Sequence, residues 1–359
     1  MSRTRAYLVL SSGDVFEGWA FGADADGIGE LVFTTNMCGY IETLTDPSYA
    51  GQIVIQTFPL IGNYGIIRED FEGACLLNGY VVREYSDTPS NFRCEMTLDE
   101  FLKEQGIPGI FGVDTRALTR IIRESGVMNA MICREVPEDL KVIQSYQVQG
   151  VVAEASCKNN ESYPITDAKY HVVLMDFGAK RNIIRELNQH GCSVTVVPYD
   201  TSAEEILALK PEGIMLSNGP GDPADNTQVI EQIRNLFGKV PMFGICLGHQ
   251  LAALAAGGTT YKMKYGHRGA NQPVTDKVTG RSFITTQNHG YAVDLESLNG
   301  IAEVRMVNTN DGTCEGLDYP DRKCFTVQFH PEACAGPKDT EFLFERFIRM
   351  MEDSKHAQR

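Results

Sequence analysis

The stretch Gly244-Ile245-Cys246-Leu247-Gly248 joins an apolar run, 240–245, to a helix-like run, 249–256. This order predicts a sharp turn from a strand into a helix, with one sulfur at its apex. Glycine on both sides permits a tight bend, and the first amides of the helix would face the space in front of the sulfur. The pattern indicates either a nucleophile elbow, with Cys in place of Ser, or a buried Cys in an ordinary connection. Five residues alone do not separate these alternatives.

Short apolar segments alternate with amphipathic ones throughout the region around this stretch. Such alternation predicts an α/β fold in which a doubly wound, mostly parallel sheet is covered by helices on both faces. Ligands bind these sheets at the carboxyl ends of the strands, which is where Cys246 follows its strand. The predicted strands are 172–176, 193–197, 213–217, 240–245, 283–286 and 324–329, and a helix is predicted over 340–351.

The N-terminal part of the chain has a different pattern and predicts a separate α+β domain. Thr97 and Glu100 form a capping-box sequence that opens one helix. Before it lie three candidate strands, 6–10, 30–35 and 52–58, and after it a helix is predicted over 114–126. A polar, aperiodic segment then suggests a linker. The expected domains are 1–155, the linker 156–169, and 170–359.

Composition narrows the classes of function. The 359 residues are 43% hydrophobic and 22% charged, as in ordinary globular proteins, and the net charge of -15 disfavours nucleic acid or an anionic membrane as partner. Residues 1–10 contain too short an apolar run for a signal peptide. The 10 cysteines show no C-x-x-C pair and no zinc-like spacing with histidine. We therefore expect reduced thiols, no metal, and a cytoplasmic protein.

A base for the sulfur is suggested by His330-Pro331-Glu332, which directly follows the alternating segment 325–329. Alternation places His330 and Glu332 on one side of an extended segment, and Pro331 ends the strand pairing. Glu332 would then orient the imidazole and stabilise its protonated form. The alternative is a solvated His and Glu at the end of a strand. The occurrence of this motif together with the Cys246 turn in one α/β domain favours the catalytic interpretation.

The loop Ser217-Asn218-Gly219-Pro220-Gly221-Asp222-Pro223 follows another predicted strand at the same edge of the sheet. Its glycines would let backbone amides approach a substrate or complete an oxyanion hole. Part of it formally fits a dinucleotide-binding pattern, but its prolines remove amides that a pyrophosphate would use. Asp176-Phe177-Gly178 likewise spells a kinase metal motif without a catalytic loop nearby. We therefore expect no nucleotide site on this chain.

These motifs resemble the signature set of class I, triad-type glutamine amidotransferase domains. The matching stretches are 217–223, 244–250, 287–290 and 329–332, in the order that the family shows. The segments 39–51 and 59–65 look like the N-terminal domain of the small subunit of carbamoyl-phosphate synthetase, so the resemblance covers nearly the whole chain.

The resemblance implies roles for particular residues. Cys246 would be the nucleophile, His330 the base and Glu332 its partner, while the amides of Gly219 and Leu247 are candidates for the oxyanion hole. Position 291 is often Phe in the family, and Tyr is compatible with a backbone contact. His249 and His289 lie within motifs but receive no role. The residues expected to bind L-glutamine are Ser48, Gly219, Gly221, Leu247, Gln250, Asn288, Gly290 and Tyr291.

The resemblance also implies a partner. A large synthetase subunit would carry ATP and Mg, receive ammonia, and make carbamoyl phosphate from bicarbonate for arginine and pyrimidine synthesis, with no cofactor on this chain. One alternative is the glutaminase component of another class I amidotransferase, or a free-standing hydrolase. Another is a non-catalytic regulatory subunit with the same fold. The separate N-terminal domain argues against the first alternative, and the intact Cys, His and Glu argue against the second.

Overall fold

The computed structural model describes residues 4–333 and 335–357. The first three residues of the N-terminal run 1–10 therefore lie outside the described part. The chain divides into two compact units, Met1–Val151 and Val152–Arg359. This division falls slightly before the expected domain end at 155, and the expected linker 156–169 contributes a short strand to the second unit.

The first unit is built around a closed barrel of seven strands in its described part. The predicted helices are present: Thr97 and Glu100 form the capping box, and Asp114 caps the following helix with its side chain. The barrel strands are, in chain order, β1 (Arg5–Leu10), β2 (Val15–Gly22), β3 (Gly27–Thr34), β4 (Gln52–Gln56), β6 (Gly79–Val82), β8 (Pro108–Phe111) and β9 (Met128–Cys133). A separate pair is β5 (Leu60–Ile61) and β7 (Glu84–Tyr85), and the helices are α1 (Tyr40–Leu44), α2 (Leu98–Gln105), α3 (Thr115–Ser125) and α4 (Lys141–Gln144). The helix α5 (Val151–Ala155) begins at the boundary and belongs mostly to the second unit.

Sequence analysis predicted only three of these barrel strands. β1, β3 and β4 carry continuous apolar runs, but β2, β6, β8 and β9 have no predicted counterpart. Their partners are distant in the chain, with Trp19 opposite Phe111 and Tyr7 opposite Cys133. Local pattern therefore indicates mixed helix and strand content, whereas barrel closure depends on long-range pairing.

The second unit contains, in its described part, a ten-stranded sheet in the order β10-β12-β11-β13-β14-β19-β18-β17-β15-β16. The five neighbours from β12 to β19 pair in parallel, and the remaining pairs are antiparallel. The strands are β10 (Glu161–Tyr163), β11 (Tyr170–Asp176), β12 (Cys192–Pro198), β13 (Gly213–Leu216), β14 (Met242–Ile245), β15 (Thr260–Asp276), β16 (Ser282–Val293), β17 (Glu303–Asn308), β18 (Cys314–Tyr319) and β19 (Cys324–Val327).

Helices pack against both faces of the parallel strands. Val173 and Met175 of β11 lie in one buried cluster, and Val172 and Leu174 lie in another. The first cluster includes α7 (Ala203–Ala208), α8 (Thr227–Leu236) and α9 (Leu247–Ala256), and the second includes α6 (Arg181–Gln189) and α10 (Phe342–Ala357). Alternate side chains of each strand thus enter separate cores, which explains why these strands read as continuous apolar runs.

This topology places the chain segments with functional motifs at one edge. β11, β13, β14 and β19 are adjacent and parallel, so their carboxyl ends meet. The segments that leave those ends contain Lys180, the 217–223 loop, Cys246 and His330, respectively.

Candidate active site

Cys246 occupies a strained turn between β14 and α9. Its φ of 52° and ψ of -102° place a residue with a side chain in the left-handed half of backbone space. A Cβ on Gly248 would lie 2.4 Å from the carbonyl oxygen of Leu216, and one on Gly244 would lie 2.9 Å from that of Gly248. Glycine is therefore required on both sides of the cysteine. This is the geometry of a nucleophile elbow.

His330 and Glu332 are joined directly. His330 Nδ1 lies 2.6 Å from Glu332 Oε1, and both residues are 1% exposed. The backbone N–H of His330 donates to the carbonyl of Thr286 in β16, which anchors the segment after β19. The alternative of a solvated His and Glu is inconsistent with this burial.

The Cys246 thiol faces the other side of the His330 ring. His330 Nε2 has no hydrogen-bond partner within the described part of the chain, and the thiol is close enough to raise the pKa of the imidazole. Cys246 Sγ also lies 3.7 Å from the carbonyl oxygen of Asn288. The structure thus brings the sulfur, the imidazole and the carboxylate close together.

Opposing effects act on the charge of His330. Burial and the nearby Lys180 lower its pKa, but the Glu332 carboxylate and the Cys246 thiol raise it to about 9. Burial raises the pKa of Glu332, but His330 and Lys180 outweigh it and lower that pKa below its ordinary value. The pair is therefore an imidazolium beside a carboxylate near neutral pH.

Lys180 is a member of the site that sequence analysis did not identify. Its side chain is buried, and Nζ lies 3.9 Å from Glu332 Oε1. Asn182 donates from its side chain to the backbone carbonyl of Glu332. Lys180 follows the end of β11 at the edge of the sheet where Cys246 lies, so strand topology would have placed it near the site, but no motif marks it.

The 217–223 loop is fixed against the elbow by hydrogen bonds. The N–H of Gly248 donates to the carbonyl of Ser217 at 3.0 Å, and Asn218 Nδ2 donates to the carbonyl of Gly178. A Cβ on Gly219 would lie 2.3 Å from the carbonyl oxygen of Phe177, so only glycine fits there. The N–H of Leu247 belongs to the first turn of α9, where backbone donors have no partner inside the helix.

The other predicted glutamine-binding residues of the second unit lie around the same turn. Gln250 Nε2 donates to the carbonyl of Tyr291 at 2.8 Å and to Gln328 Oε1 at 3.0 Å. Asn288, Gly290 and Tyr291 are on β16, and the Asn288 carbonyl approaches Cys246. Gly221, with φ 85°, lies in the 217–223 loop. Ser48 belongs to the first unit, where the side chain of Asp46 accepts from its N–H.

The two histidines without a predicted role are both buried. His249 Nδ1 lies 2.8 Å from Thr326 Oγ1, and burial lowers the pKa of His249 to about 3. His289 Nδ1 lies 2.8 Å from the carbonyl of Tyr291. His289, His267 and Glu315 bring potential metal-ligand atoms within 4.8 Å of one another, a grouping that their spacing in sequence does not reveal.

Comparison with known proteins decides the family. Glutamine amidotransferase class-I matches residues 173–350, and carbamoyl-phosphate synthase small chain, CPSase domain, matches residues 8–132. The carbamoyl phosphate synthase small chain of Staphylococcus epidermidis is 53% identical over 99% of this chain and 98% of its own. The chain belongs to the carbamoyl phosphate synthase small chain family. The predicted enzyme type, the amidotransferase subunit of a glutamine-hydrolysing carbamoyl-phosphate synthase, is thereby confirmed at the level of the family.

Other small chains agree with this assignment. The small chain of Oceanobacillus iheyensis is 51% identical over 98% of this chain and 97% of its own length. The small chain of Fusobacterium nucleatum is 51% identical over 97% of this chain and 98% of its own length. The class I amidotransferase fold and the mixed α/β content of the chain agree with the predicted fold class. In the described part of the chain, no helix is both long and apolar enough to span a membrane.

Proposed function

We propose that this small chain hydrolyses L-glutamine to glutamate and ammonia through Cys246, His330 and Glu332. The observation that carries the proposal is the buried cluster of thiol, imidazole and carboxylate at the strained turn after β14. This cluster has the elements that thiol acyl-transfer enzymes require: a nucleophile, a base within reach, and a group that orients the base.

In the first half of the reaction, the Cys246 thiolate attacks the side-chain carbonyl carbon of glutamine and forms a carbon–sulfur bond. The backbone amides of Gly219 and Leu247 would stabilise the oxyanion, and loss of one such donor costs on the order of 3 kcal/mol in comparable sites. His330 then gives its proton to the leaving nitrogen. The carbon–nitrogen bond breaks, and ammonia leaves behind a γ-glutamyl thioester.

In the second half, His330 is neutral and accepts a proton from a water molecule. The resulting hydroxide attacks the thioester carbonyl and the carbon–sulfur bond breaks. Glutamate is released, and the Cys246 thiolate is regenerated. Glu332 accepts from the Nδ1 proton of His330 throughout and stabilises each imidazolium state, without itself transferring a proton. Lys180 contributes a second positive charge beside the Glu332 carboxylate.

The glutamine ligands proposed for the second unit are Gly219, Gly221, Leu247, Gln250, Asn288, Gly290 and Tyr291, and Ser48 of the first unit is proposed on the family resemblance alone. We further propose that residues 170–359 form a doubly wound class I amidotransferase domain. This domain would deliver ammonia to a large synthetase subunit in the cytoplasm. That subunit would hold ATP and Mg and make carbamoyl phosphate for arginine and pyrimidine synthesis. The names of the related small chains support a large partner.

A test compares glutamine with ammonia as nitrogen donor. In the complex with its native large subunit, Cys246→Ser should lower glutamine-dependent carbamoyl phosphate synthesis by at least about 10³-fold. Synthesis from added ammonium should stay within about twofold, because that route bypasses the thioester. Loss of both activities would mean that Cys246 is structural. If no large ATP-using subunit co-purifies with the chain, the synthetase role is wrong and an independent amidohydrolase becomes the better description.

A further inference from the structure

A buried group of ionisable side chains lies beside the part of β16 that carries Asn288, Gly290 and Tyr291. It is formed by residues of β15, β16, β17 and β18 and of the turn between β17 and β18. Its members are His267, His289, Glu315, Asp311 and Asn308. The triad mechanism does not use any of them.

His267 lies between two carboxylates. Its Nε2 is 2.8 Å from Asp311 Oδ2, and its Nδ1 is 3.6 Å from Glu315 Oε1. Burial lowers the pKa of His267, but Glu315 and Asp311 outweigh it and raise that pKa. Glu315 is fully buried, and a charged carboxylate in that position requires a compensating cation. Burial raises the pKa of Glu315 against the opposing effects of His267 and Asn308, and Asn308 donates to Glu315 at 3.3 Å.

His289 is held in a single protonation state by this neighbour. The two imidazole rings meet edge to face, with centroids 5.1 Å apart and planes at 85°. Burial and the charge of His267 lower the pKa of His289, so the ring is neutral. Its Nδ1 faces the carbonyl of Tyr291 at 2.8 Å. Its Nε2 faces Gln287 Oε1 at 3.1 Å, so both ring nitrogens are held by residues of β16.

The Tyr291 carbonyl connects this group to the candidate active site. It accepts from His289 Nδ1 and also from Gln250 Nε2, both at 2.8 Å. Three residues earlier on β16, the Asn288 carbonyl lies 3.7 Å from Cys246 Sγ. A change in the ring of His289 therefore acts on the strand that contributes three of the proposed glutamine ligands.

We infer that His267, held between Glu315 and Asp311, is a positioning residue for glutamine: it packs edge to face against the His289 ring and through it fixes the 288–291 segment of β16. The inference rests on the proposed glutaminase function and extends it to residues outside the triad. His267 does not touch the reacting atoms. Its loss should weaken glutamine binding more than it slows the chemical step.

The same residues are also compatible with a bound metal ion. His267, His289 and Glu315 offer nitrogen and oxygen ligands, as zinc sites do. The observed contacts favour hydrogen bonding over a metal, because His267 Nε2 lies 2.8 Å from Asp311 Oδ2 and His289 Nδ1 lies 2.8 Å from the Tyr291 carbonyl. A metal therefore becomes an outcome of the test.

The test uses His267→Asn and Glu315→Gln in the small chain assembled with its large subunit. Each variant should raise the KM for glutamine on the order of tenfold, while kcat at saturating glutamine stays within about threefold. Synthesis from ammonium should not change. The double variant should have the same KM as the single variants, because removing either His267 or Glu315 already breaks the contact between them. Glu303→Gln, on the exposed side of β17, is the matched control and should leave every parameter unchanged.

An unchanged KM, or a loss confined to kcat, would overturn the positioning role. So would additive effects in the double variant, or a stoichiometric metal in the purified protein that is absent from His267→Asn. Asp311→Asn keeps the inference testable if the buried variants do not fold, since Asp311 is on a partly exposed turn. It should raise KM by about threefold.

The unmodified complex distinguishes this inference from the proposed function. If it hydrolyses glutamine and the variants share its KM, only the positioning role is wrong. A complex without any glutaminase activity would overturn both.

Discussion

Two histidines of the second unit are almost equally buried, yet their surroundings shift their pKa values in opposite directions. His249, in the first turn of α9, is 0% exposed, and burial lowers its pKa to about 3. His330, after β19, is 1% exposed; burial and Lys180 lower its pKa, but Glu332 and Cys246 raise it to about 9.

The difference lies in the partners of each ring. His249 Nδ1 meets the neutral hydroxyl of Thr326 at 2.8 Å, whereas His330 Nδ1 meets a carboxylate at 2.6 Å. Burial alone makes an imidazole a neutral structural group, because a charged ring would lose its hydration. A buried carboxylate converts the same side chain into a cation that can donate a proton. Position within a motif therefore does not decide which histidine is catalytic.

The largest expected effect is on kcat for glutamine hydrolysis, which should differ between substitutions of His330 and of His249. His330→Asn should lower kcat for glutamine hydrolysis by about 10⁴-fold to 10⁶-fold, because it removes the group proposed as both base and acid. His249→Asn should change kcat by less than about tenfold, since Nε2 of His249 has no hydrogen-bond partner in the described residues and its Nδ1 bonds to a structural hydroxyl. Steady-state glutaminase assays on the intact complex measure both. A comparable loss in His249→Asn would show that buried neutral imidazoles also take part.

A smaller effect is expected from the carboxylate. Glu332→Ala should lower kcat by about 10²-fold to 10⁴-fold, because Glu332 orients and charges His330 but does not transfer the proton. The same assay gives kcat for both variants side by side. Equal losses in Glu332→Ala and His330→Asn would contradict this division of roles.

The smallest effect concerns stability against pH. The raised pKa of His330 stabilises the fold fully below about pH 6.5, and this contribution is lost as pH rises through about 9. The lowered pKa of His249 acts in the opposite direction: its contribution is present above about pH 6.5 and is lost as pH falls toward about 3. Each contribution amounts to on the order of 3 to 5 kcal/mol in the free energy of unfolding over its pH range.

Chemical denaturation across this pH range measures how the free energy of unfolding changes with pH. His330→Asn should flatten the decline of unfolding free energy on the alkaline side, and His249→Asn should flatten the decline on the acid side. If both substitutions affected the same side, the two rings would not differ in charge as described.

Sequence analysis predicted most of the second unit because its signals are local. The parallel strands are continuous apolar runs, and α7 begins with the capping box of Ser202 and Glu205. The elbow was recognisable since Gly244, Cys246 and Gly248 form a compact pattern. β10, a short polar strand in the expected linker, had no predicted counterpart. Neither had β15, β17 and β18, because these antiparallel strands mix polar and apolar residues and contain bulges.

Residues that act through space were harder to predict. Lys180 carries no motif, yet strand order brings it beside Glu332. His267 and Glu315 are far apart in sequence and meet only because β15 and β18 belong to one sheet. The His330–Glu332 pair was predictable because alternation along one extended segment places both side chains on the same side.

The sequence by itself determined which groups are proposed to react: a cysteine between glycines and a histidine two residues before a glutamate, together with an order of motifs that resembles the family. Only the tertiary structure decided their chemical state. The pKa of a buried group depends on desolvation and on charges a few ångströms away, and those neighbours come from strands distant in the chain. That is why His330 is a cation beside Glu332 while His249, in the pentapeptide's own helix, is neutral.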